Sequence, residues 1–87
     1  MNEIEAIVLE QARDLLGDGI SLSDDFFNVG GDSVTGMHFV GRVGRRLDLP
    51  IRTTLLFANS VLADFADGVA AVQRRQAAAT GAESPAR

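Results

Sequence analysis

The stretch DFFNVGGDSVT, residues 25–35, organises the rest of this chain. Asp32 and Ser33 are both good N-cap residues, so the stretch predicts that a helix begins here. Gly30 and Gly31 leave no side chains to obstruct a group that approaches Ser33. Unpaired N–H groups and the helix dipole favour an anion at this position, such as a phosphate attached to the serine oxygen. A serine that only caps a helix after a glycine loop is the alternative interpretation.

The length and composition of the chain limit what it can be. Its 87 residues suffice for one small domain with a single core. With no cysteine and one histidine, the sequence excludes a disulfide framework, a thiolate metal site and a multi-histidine site. No apolar run is long enough to cross a membrane, and nothing resembles a signal peptide. We therefore expect a cytoplasmic protein that binds no metal and no membrane.

Charge is distributed unevenly along the chain. Residues 1–32 hold eight acidic residues and one arginine, whereas residues 33–87 hold seven arginines and four acidic residues. The two parts together give the net charge of −4. The arginines form no basic patch interleaved with aromatic residues, so we expect no binding to nucleic acid.

Apolar residues at helical spacing predict three main helices and one short helix. The first main helix covers residues 2–16, the second covers residues 33–47, and the last begins at Val61 with Ser60 as its cap. A short helical turn lies within residues 51–57. The residues that we expect in the core are Ile4, Ile7, Val8, Ala12, Leu15, Leu16, Gly36, Phe39, Val40, Val43, Leu47, Leu55, Leu56, Phe57, Leu62, Phe65, Ala66, Val69 and Val72. The predicted fold is therefore all-α, a small helical bundle.

Residues 17–32 form a connection without helical periodicity, which is unusually long for a compact domain. Its apolar residues predict a loop anchored to the core, which would hold Ser33 in place; they are Ile20, Leu22, Phe26, Phe27 and Val29. Residues 1–76 are predicted to form the domain. Residues 77–87, rich in alanine, glycine, serine and proline, are predicted to be a flexible C-terminal tail.

A second stripe of the residue 33–47 helix faces away from the predicted core. Advancing 100° per residue places Val34, Met37, Gly41 and Gly44 on this stripe, continuous with Ser33. Exposed apolar residues beside a reactive-looking serine favour a flat docking strip. Close packing of Gly36 on a neighbouring helix is a further reason for glycine in this helix.

At residues 26–34, FFNVGGDSV resembles the phosphopantetheine-attachment motif of carrier proteins, usually written D-x-F-F-x-x-G-G-[HD]-S-[LI]. Residues 49–57 resemble the loop and short third helix of that family, and residues 60–66 resemble the start of its last helix. The resemblance covers about residues 4–72. The double glycine points to the peptidyl (thiolation) branch of nonribosomal peptide synthesis. An acyl carrier of a polyketide or fatty-acid pathway is the alternative, and a small helical interaction domain without a prosthetic group is a remote one.

This resemblance implies that Ser33 holds 4′-phosphopantetheine, taken from coenzyme A, through a phosphodiester, with Asp32 and Gly31 beside it. Val34, Met37 and Gly41 would dock partner enzymes. The chain would be a monomeric, non-catalytic carrier that works with a phosphopantetheinyl transferase, an adenylation enzyme and downstream condensation or tailoring enzymes. Two positions depart from the family pattern. Val34 replaces the usual Leu or Ile, and the pair at residues 60 and 61 is Ser-Val instead of Pro-Thr.

A hydrolase is the enzyme hypothesis that the sequence raises, because residues 31–34, GDSV, are superficially similar to the G-D-S-L block of one hydrolase family. Those enzymes are much longer α/β proteins with a distant Asp-x-x-His. Here His38 is the sole histidine and lies about 140° around the same helix from Ser33. Thr35 stands where a Gly-x-Ser-x-Gly elbow needs its second glycine. These differences argue against a hydrolase.

The charge of the helix after Ser33 bears on what is carried. This helix has no carboxylate and carries Arg42, Arg45, Arg46 and His38. Fatty-acid carriers, as a family, present an acidic helix to basic patches on their enzymes, so the helix seen here should pair poorly with such patches. Together with the glycine pair, this favours an amino or aryl acid as the cargo.

Overall fold

The computed structural model describes the backbone of residues 1–83 and the side chains of residues 1–79. Its four helices are α1 (Glu3–Leu16), α2 (Ser33–Leu47), α3 (Thr53–Ala58) and α4 (Leu62–Glu83). Within residues 1–83 the one extended pairing is an isolated antiparallel bridge between Asp25 and Val61. None of these helices combines the length and apolar character needed to span a bilayer. The all-α prediction is confirmed.

The first two helices begin at side-chain caps, and the one at Asp32 was predicted from the sequence. The Asn2 side chain accepts a hydrogen bond from the Glu5 N–H at 2.8 Å, and Glu5 accepts one from the Asn2 N–H at 3.0 Å. This reciprocal arrangement is a capping box. Asp32 caps α2 by accepting from the N–H of Thr35. The starts of α1 and α2 are therefore specified by residues that are close together in the sequence.

An aromatic cluster joins the long loop to the helices in the core. The ring of Phe26, in the loop, is fully buried and stacks on Phe39 of α2 with centroids 5.0 Å apart. Phe39 in turn packs on Phe65 of α4 at 5.2 Å. The largest fully buried side chains come from the loop and all four helices, and they are Phe26, Phe39, Phe65, Leu56, Leu62, Val8, Val43 and Val69. The loop is thus a part of the core and not a covering over it.

Two ion pairs connect the outer faces of α1 and α2. Arg46 donates to Glu10 at 2.9 Å, and Arg42 pairs with Asp14. All four side chains are substantially exposed to solvent. Exposed pairs of this kind add at most about 1 kcal/mol each. They leave α2 less basic than its sequence suggested, since two of its three arginines are paired.

Some residues of the predicted core lie elsewhere in the structure. Phe57 is 49% exposed and stacks on Phe27 at 5.5 Å, so it is not a core anchor. Gly44, placed on the docking strip by the sequence, is buried. A Cβ at Gly44 would lie 2.9 Å from the carbonyl oxygen of Leu49, because the chain turns back over the end of α2. Gly36 does pack closely on α3, as the alternative reason for its glycine predicted.

The last helix differs from its prediction at both ends. It begins at Leu62 instead of Val61, and the Ser60 hydroxyl donates to Asp25 and does not cap the helix. It continues to Glu83, past residue 77 where the tail was predicted to begin. Residues 84–87 of that predicted tail lie outside the described residues. The division of the chain at residue 76 stays a prediction.

Truncation of one buried and one exposed side chain of α2 tests this packing. Phe39→Ala should lower the free energy of unfolding by about 3–5 kcal/mol, because it empties the centre of the aromatic cluster. Met37 is 60% exposed, so Met37→Ala should change the free energy of unfolding by less than about 0.5 kcal/mol. Urea denaturation measures both, and similar losses for the two variants would show that the helix faces are misassigned.

Candidate functional site

Backbone hydrogen bonds fasten the long loop to the beginning of α4. The N–H of Phe26 donates to the carbonyl of Ser60 at 2.8 Å. In the other direction, the N–H of Leu62 donates to Asp24 at 3.0 Å and that of Ala63 donates to Leu22 at 2.9 Å. The first N–H groups of a helix have no partner inside the helix, and here the loop supplies two of the acceptors. The prediction of an anchored loop is confirmed.

The carboxylate of Asp25 strengthens the same junction. It accepts from the Ser60 hydroxyl at 2.7 Å and from the N–H groups of Phe27 and Asn28 at 2.9 and 3.2 Å. The Ser60 hydroxyl first, and then these N–H groups, hold the pKa of Asp25 below its usual value, against the partial desolvation that raises it. Sequence analysis missed this contact because the two residues are far apart in the chain.

The two glycines before the serine have different structural roles. Gly30 has a φ of +112°, a conformation that side chains disfavour, and it has open space around it. Gly31 is tightly packed, since a Cβ there would lie 2.3 Å from the ring of Phe26. Its N–H also donates to the Phe26 carbonyl at 3.0 Å. Gly31 therefore closes the loop against the aromatic cluster, and its role beside a cofactor stays a prediction.

Ser33 is exposed and occupies the first position of α2. The N-cap is its neighbour Asp32, whose carboxylate accepts from the N–H of Thr35 at 2.8 Å. The backbone N–H and then the hydroxyl of Thr35 hold the pKa of Asp32 below its usual value. With Asp32 as the cap, Ser33 is left available for modification. A phosphate on its oxygen would lie beside the N–H groups at the start of the helix.

An exposed apolar surface adjoins this position. Val34 and Met37 on α2 are 63% and 60% exposed, as the sequence predicted. Phe57 of α3 is also exposed, and its ring stacks on the loop residue Phe27. A sequence signal existed for Phe57, because three consecutive apolar residues in a six-residue helix cannot all face one core. Gly41 is half-buried, with Arg45 its nearest neighbour.

The sole histidine and the residues that could bind a metal ion form no metal site in the described part of the chain. His38 is exposed on α2, as expected for a surface residue. Among residues 1–83, histidine, aspartate and glutamate form no group of three or more that could hold a metal ion.

Residues 6–69 match a protein family described as "Phosphopantetheine attachment site". The chain belongs to this family. Its carriers hold 4′-phosphopantetheine covalently, and the exposed serine at the start of α2 suits that group. The match includes the loop, the helix after it and most of the core.

Relatives of this carrier domain occur in nonribosomal peptide synthetases. It is 47% identical over 68 residues to the nonribosomal peptide synthetase kk1B of Curvularia clavata, and 40% identical over 73 residues to cyclosporin synthetase simA of Tolypocladium inflatum. These alignments cover 78% and 84% of this chain but, rounded, 0% of each synthetase. The PF 1022-synthetase of Rosellinia sp. is 32% identical over 91% of this chain and 2% of its own length.

A solved structure also resembles the carrier domain. It is the solution structure of a non-covalent extended docking domain complex of the Pax NRPS, PaxA T1-CDD with PaxB NDD. The similarity has a TM-score of 0.77 at 26% identity and covers 87% of this chain and 74% of that one. Family, relatives and fold together show that the chain is a peptidyl carrier domain of the nonribosomal peptide type.

Adding one methyl group in the loop tests its closure on Phe26. Gly31→Ala should lower the free energy of unfolding by about 1–3 kcal/mol, because the new Cβ overlaps the Phe26 ring. Gly19→Ala is the matched control in the same loop, since no atom lies within 4 Å of a Cβ there. It should change stability by less than about 0.5 kcal/mol. Equal stability of the two variants in urea would contradict the packing described for Gly31.

Proposed function

We propose that Ser33 is the attachment residue, and that this domain carries an amino, aryl or peptidyl acyl group on 4′-phosphopantetheine between partner enzymes. The observation that carries the proposal is the exposed position of Ser33 at the start of α2, inside the matched family region. Transfer from coenzyme A would form a phosphodiester at the Ser33 oxygen and release the adenosine bisphosphate half. The arm's terminal thiol, when bound, supplies the thioester chemistry.

The residues around Ser33 would act by presentation and not by catalysis. The anchored loop holds the serine in place, and the start of α2 offers N–H groups to the phosphodiester. Asp32 caps the helix, while Gly30 leaves open space on the loop. For the acyl transfers the domain needs to supply no general base or nucleophile, because the partner enzymes perform them. We therefore propose a non-catalytic carrier.

Intact mass spectrometry tests the attachment residue. After incubation with coenzyme A, magnesium and a broad-specificity phosphopantetheinyl transferase, the wild-type protein should gain the mass of one phosphopantetheine. Ser33→Ala should gain none, because it lacks the only oxygen proposed as the nucleophile. Ser23→Ala, at an exposed serine of the same loop, should be modified like the wild type. Modification of Ser33→Ala would overturn the assignment, and an unmodified wild type would favour an interaction domain without a prosthetic group.

The partners are proposed to dock on the apolar surface beside the serine. Val34, Met37 and Gly41 of α2 were predicted for this role, and the exposed ring of Phe57 extends the surface to α3. The proposed partners are the transferase, an adenylation enzyme and downstream condensation or tailoring enzymes, met in the cytoplasm. The Pax structure supports other domains of a synthetase system as the class of partner, since it is a complex of docking domains.

The charge of α2 supports an amino or aryl acid as the cargo. Arg42 and Arg46 are paired with acids of α1, but α2 itself contributes no carboxylate, and Arg45 has no ion pair among the described side chains. A helix without negative charge gives little attraction to the basic docking patches expected on fatty-acid enzymes. An amino or aryl acid, activated as its adenylate by a separate enzyme, therefore agrees better with the charge of α2 than a cargo from fatty-acid enzymes does. An acyl carrier of a polyketide or fatty-acid pathway is the second candidate.

A side-by-side loading assay distinguishes these two cargo classes. The holo protein should be aminoacylated or arylated by at least one of a panel of adenylation enzymes, and it should be a poor acceptor from malonyl transferases. Intact mass spectrometry measures how much of the protein is loaded by each type of enzyme. Efficient malonyl loading, with no acid accepted from any adenylation enzyme, would move the chain to the acyl-carrier branch.

A surface variant in the same assay tests the docking role of α2. Met37→Asp should reduce loading by the active adenylation enzyme because it places a charge in the apolar contact, while its melting temperature stays close to the wild-type value. Asp64→Asn, an exposed change on α4, is the control that should load normally. Normal loading of Met37→Asp would exclude Met37 from the interface.

A further inference from the structure

Asp25 and Ser60 form a contact that the family motif does not account for. The Ser60 hydroxyl donates to the Asp25 carboxylate at 2.7 Å across 35 residues of sequence. Asp25 stands at the variable position before the two phenylalanines of the motif, and Ser60 stands where the family usually has proline. The hydrogen bond therefore belongs to this chain's own residues and not to the shared pattern.

The same carboxylate also orders the loop on its other side. One oxygen of Asp25 accepts from the N–H groups of Phe27 and Asn28 at 2.9 and 3.2 Å, while the other oxygen accepts from Ser60. The lowered pKa of Asp25 agrees with a charged acceptor. Hydrogen bonds to a charged group are shorter and stronger than neutral ones. The Asp25 side chain thus connects Ser60, two residues before α4, to the turn that leads towards Gly30.

Backbone contacts extend this connection to the attachment residue. The N–H of Phe26 donates to Ser60, and the carbonyl of Phe26 accepts from Gly31 at 3.0 Å. Gly31 lies two residues before Ser33 and is packed against the Phe26 ring. Phe26 and Gly31 therefore connect the Asp25–Ser60 contact to the start of α2.

We infer that Asp25 and Ser60 are a positioning pair, which clamps residues 25–31 to the beginning of α4 and thereby sets how readily Ser33 is modified. Neither side chain is proposed to touch the cofactor or the transferase. The pair is only partly buried, so its loss should loosen the loop without emptying the core. The inference rests on the proposed attachment at Ser33.

Amide hydrogen exchange, followed by NMR on the apo protein, tests the clamp directly. In Ser60→Ala the amides of Phe27, Asn28 and Gly31 should exchange about tenfold faster or more, because a hydrogen bond to a charged group is lost. Amides in the centres of α2 and α4 should exchange as in the wild type, since local openings of a loop leave the core closed.

Transferase kinetics with coenzyme A give the second measurement. The KM for apo Ser60→Ala should rise about threefold or more with little change in kcat, because a smaller fraction of the protein has the loop in the competent conformation. Asp25→Ala should raise the KM at least as much, because it also removes the acceptor of the Phe27 and Asn28 N–H groups. The double variant should be no worse than Asp25→Ala alone, since Ser60 then has no contact with Asp25 left to lose. Additive effects would contradict the pairing.

Two variants control for changes unrelated to the pair. Ser60→Thr retains the hydroxyl and should restore wild-type exchange and KM. Ser23→Ala removes a hydroxyl that faces Ser21 in the same loop, 3.0 Å away, and should change neither measurement. If Ser60→Thr or Ser23→Ala showed faster amide exchange together with a raised KM, the specific role of the hydroxyl at residue 60 would be overturned.

The remaining outcomes also decide the inference. Unchanged exchange in Ser60→Ala, or faster exchange with an unchanged KM, would overturn it. Faster exchange of every amide, including those of the core, would overturn it as well, because the pair would then support the whole fold. If the transferase modified a residue other than Ser33, the proposed attachment would fail, whereas local loosening in the exchange data would still establish the clamp.

Discussion

The hydrogen bonds between the long loop and the first turn of α4 are the interaction on which the rest of the structure depends. They satisfy N–H groups at the start of α4 and carbonyl groups of the loop at the same time. They also place Phe26 under α2, where its ring joins the helices into one core. A loop of sixteen residues could otherwise hold many conformations, at a large cost in entropy when ordered. The proposed attachment at Ser33 needs this order, because the serine must be exposed and yet held in one position.

Much of the fold could be predicted because its signals are local. The bounds of α2 were predicted from a capping residue at one end and apolar spacing along the helix. Apolar spacing likewise placed the start of the first helix at residue 2, and α1 begins at Glu3 with Asn2 as its cap. Exposure of Val34 and Met37 followed from helical geometry alone, given a buried Phe39. The position of Ser33 was predictable for the same reason, since cap and glycine pair lie within a few residues of it.

The errors occurred where distant residues compete with local ones. Ser60 could cap the following helix, but a carboxylate 35 residues away is its partner instead. Gly44 lies off the apolar face by helical arithmetic, yet the chain after Asp48 turns back and covers it, with the N–H of Leu49 donating to Gly44 at 2.9 Å. The predicted tail is a separate case, because alanine, which is the best helix former, is common in it. Residues 77–83 continue α4, and the division of the chain at residue 76 stays a prediction.

The volume of the Phe26 side chain limits which residues can stand at position 31. A Cβ on Gly31 would lie 2.3 Å from the Phe26 ring, whereas one on Gly36 would lie 3.7 Å from it, which is ordinary contact. A larger residue at 31 would therefore require a smaller one at 26, which in turn would open a void beside Phe39. Positions 26 and 31 are expected to vary together during divergence, or not at all. A redesign of the loop would have to treat the ring and Gly31 as a single steric unit.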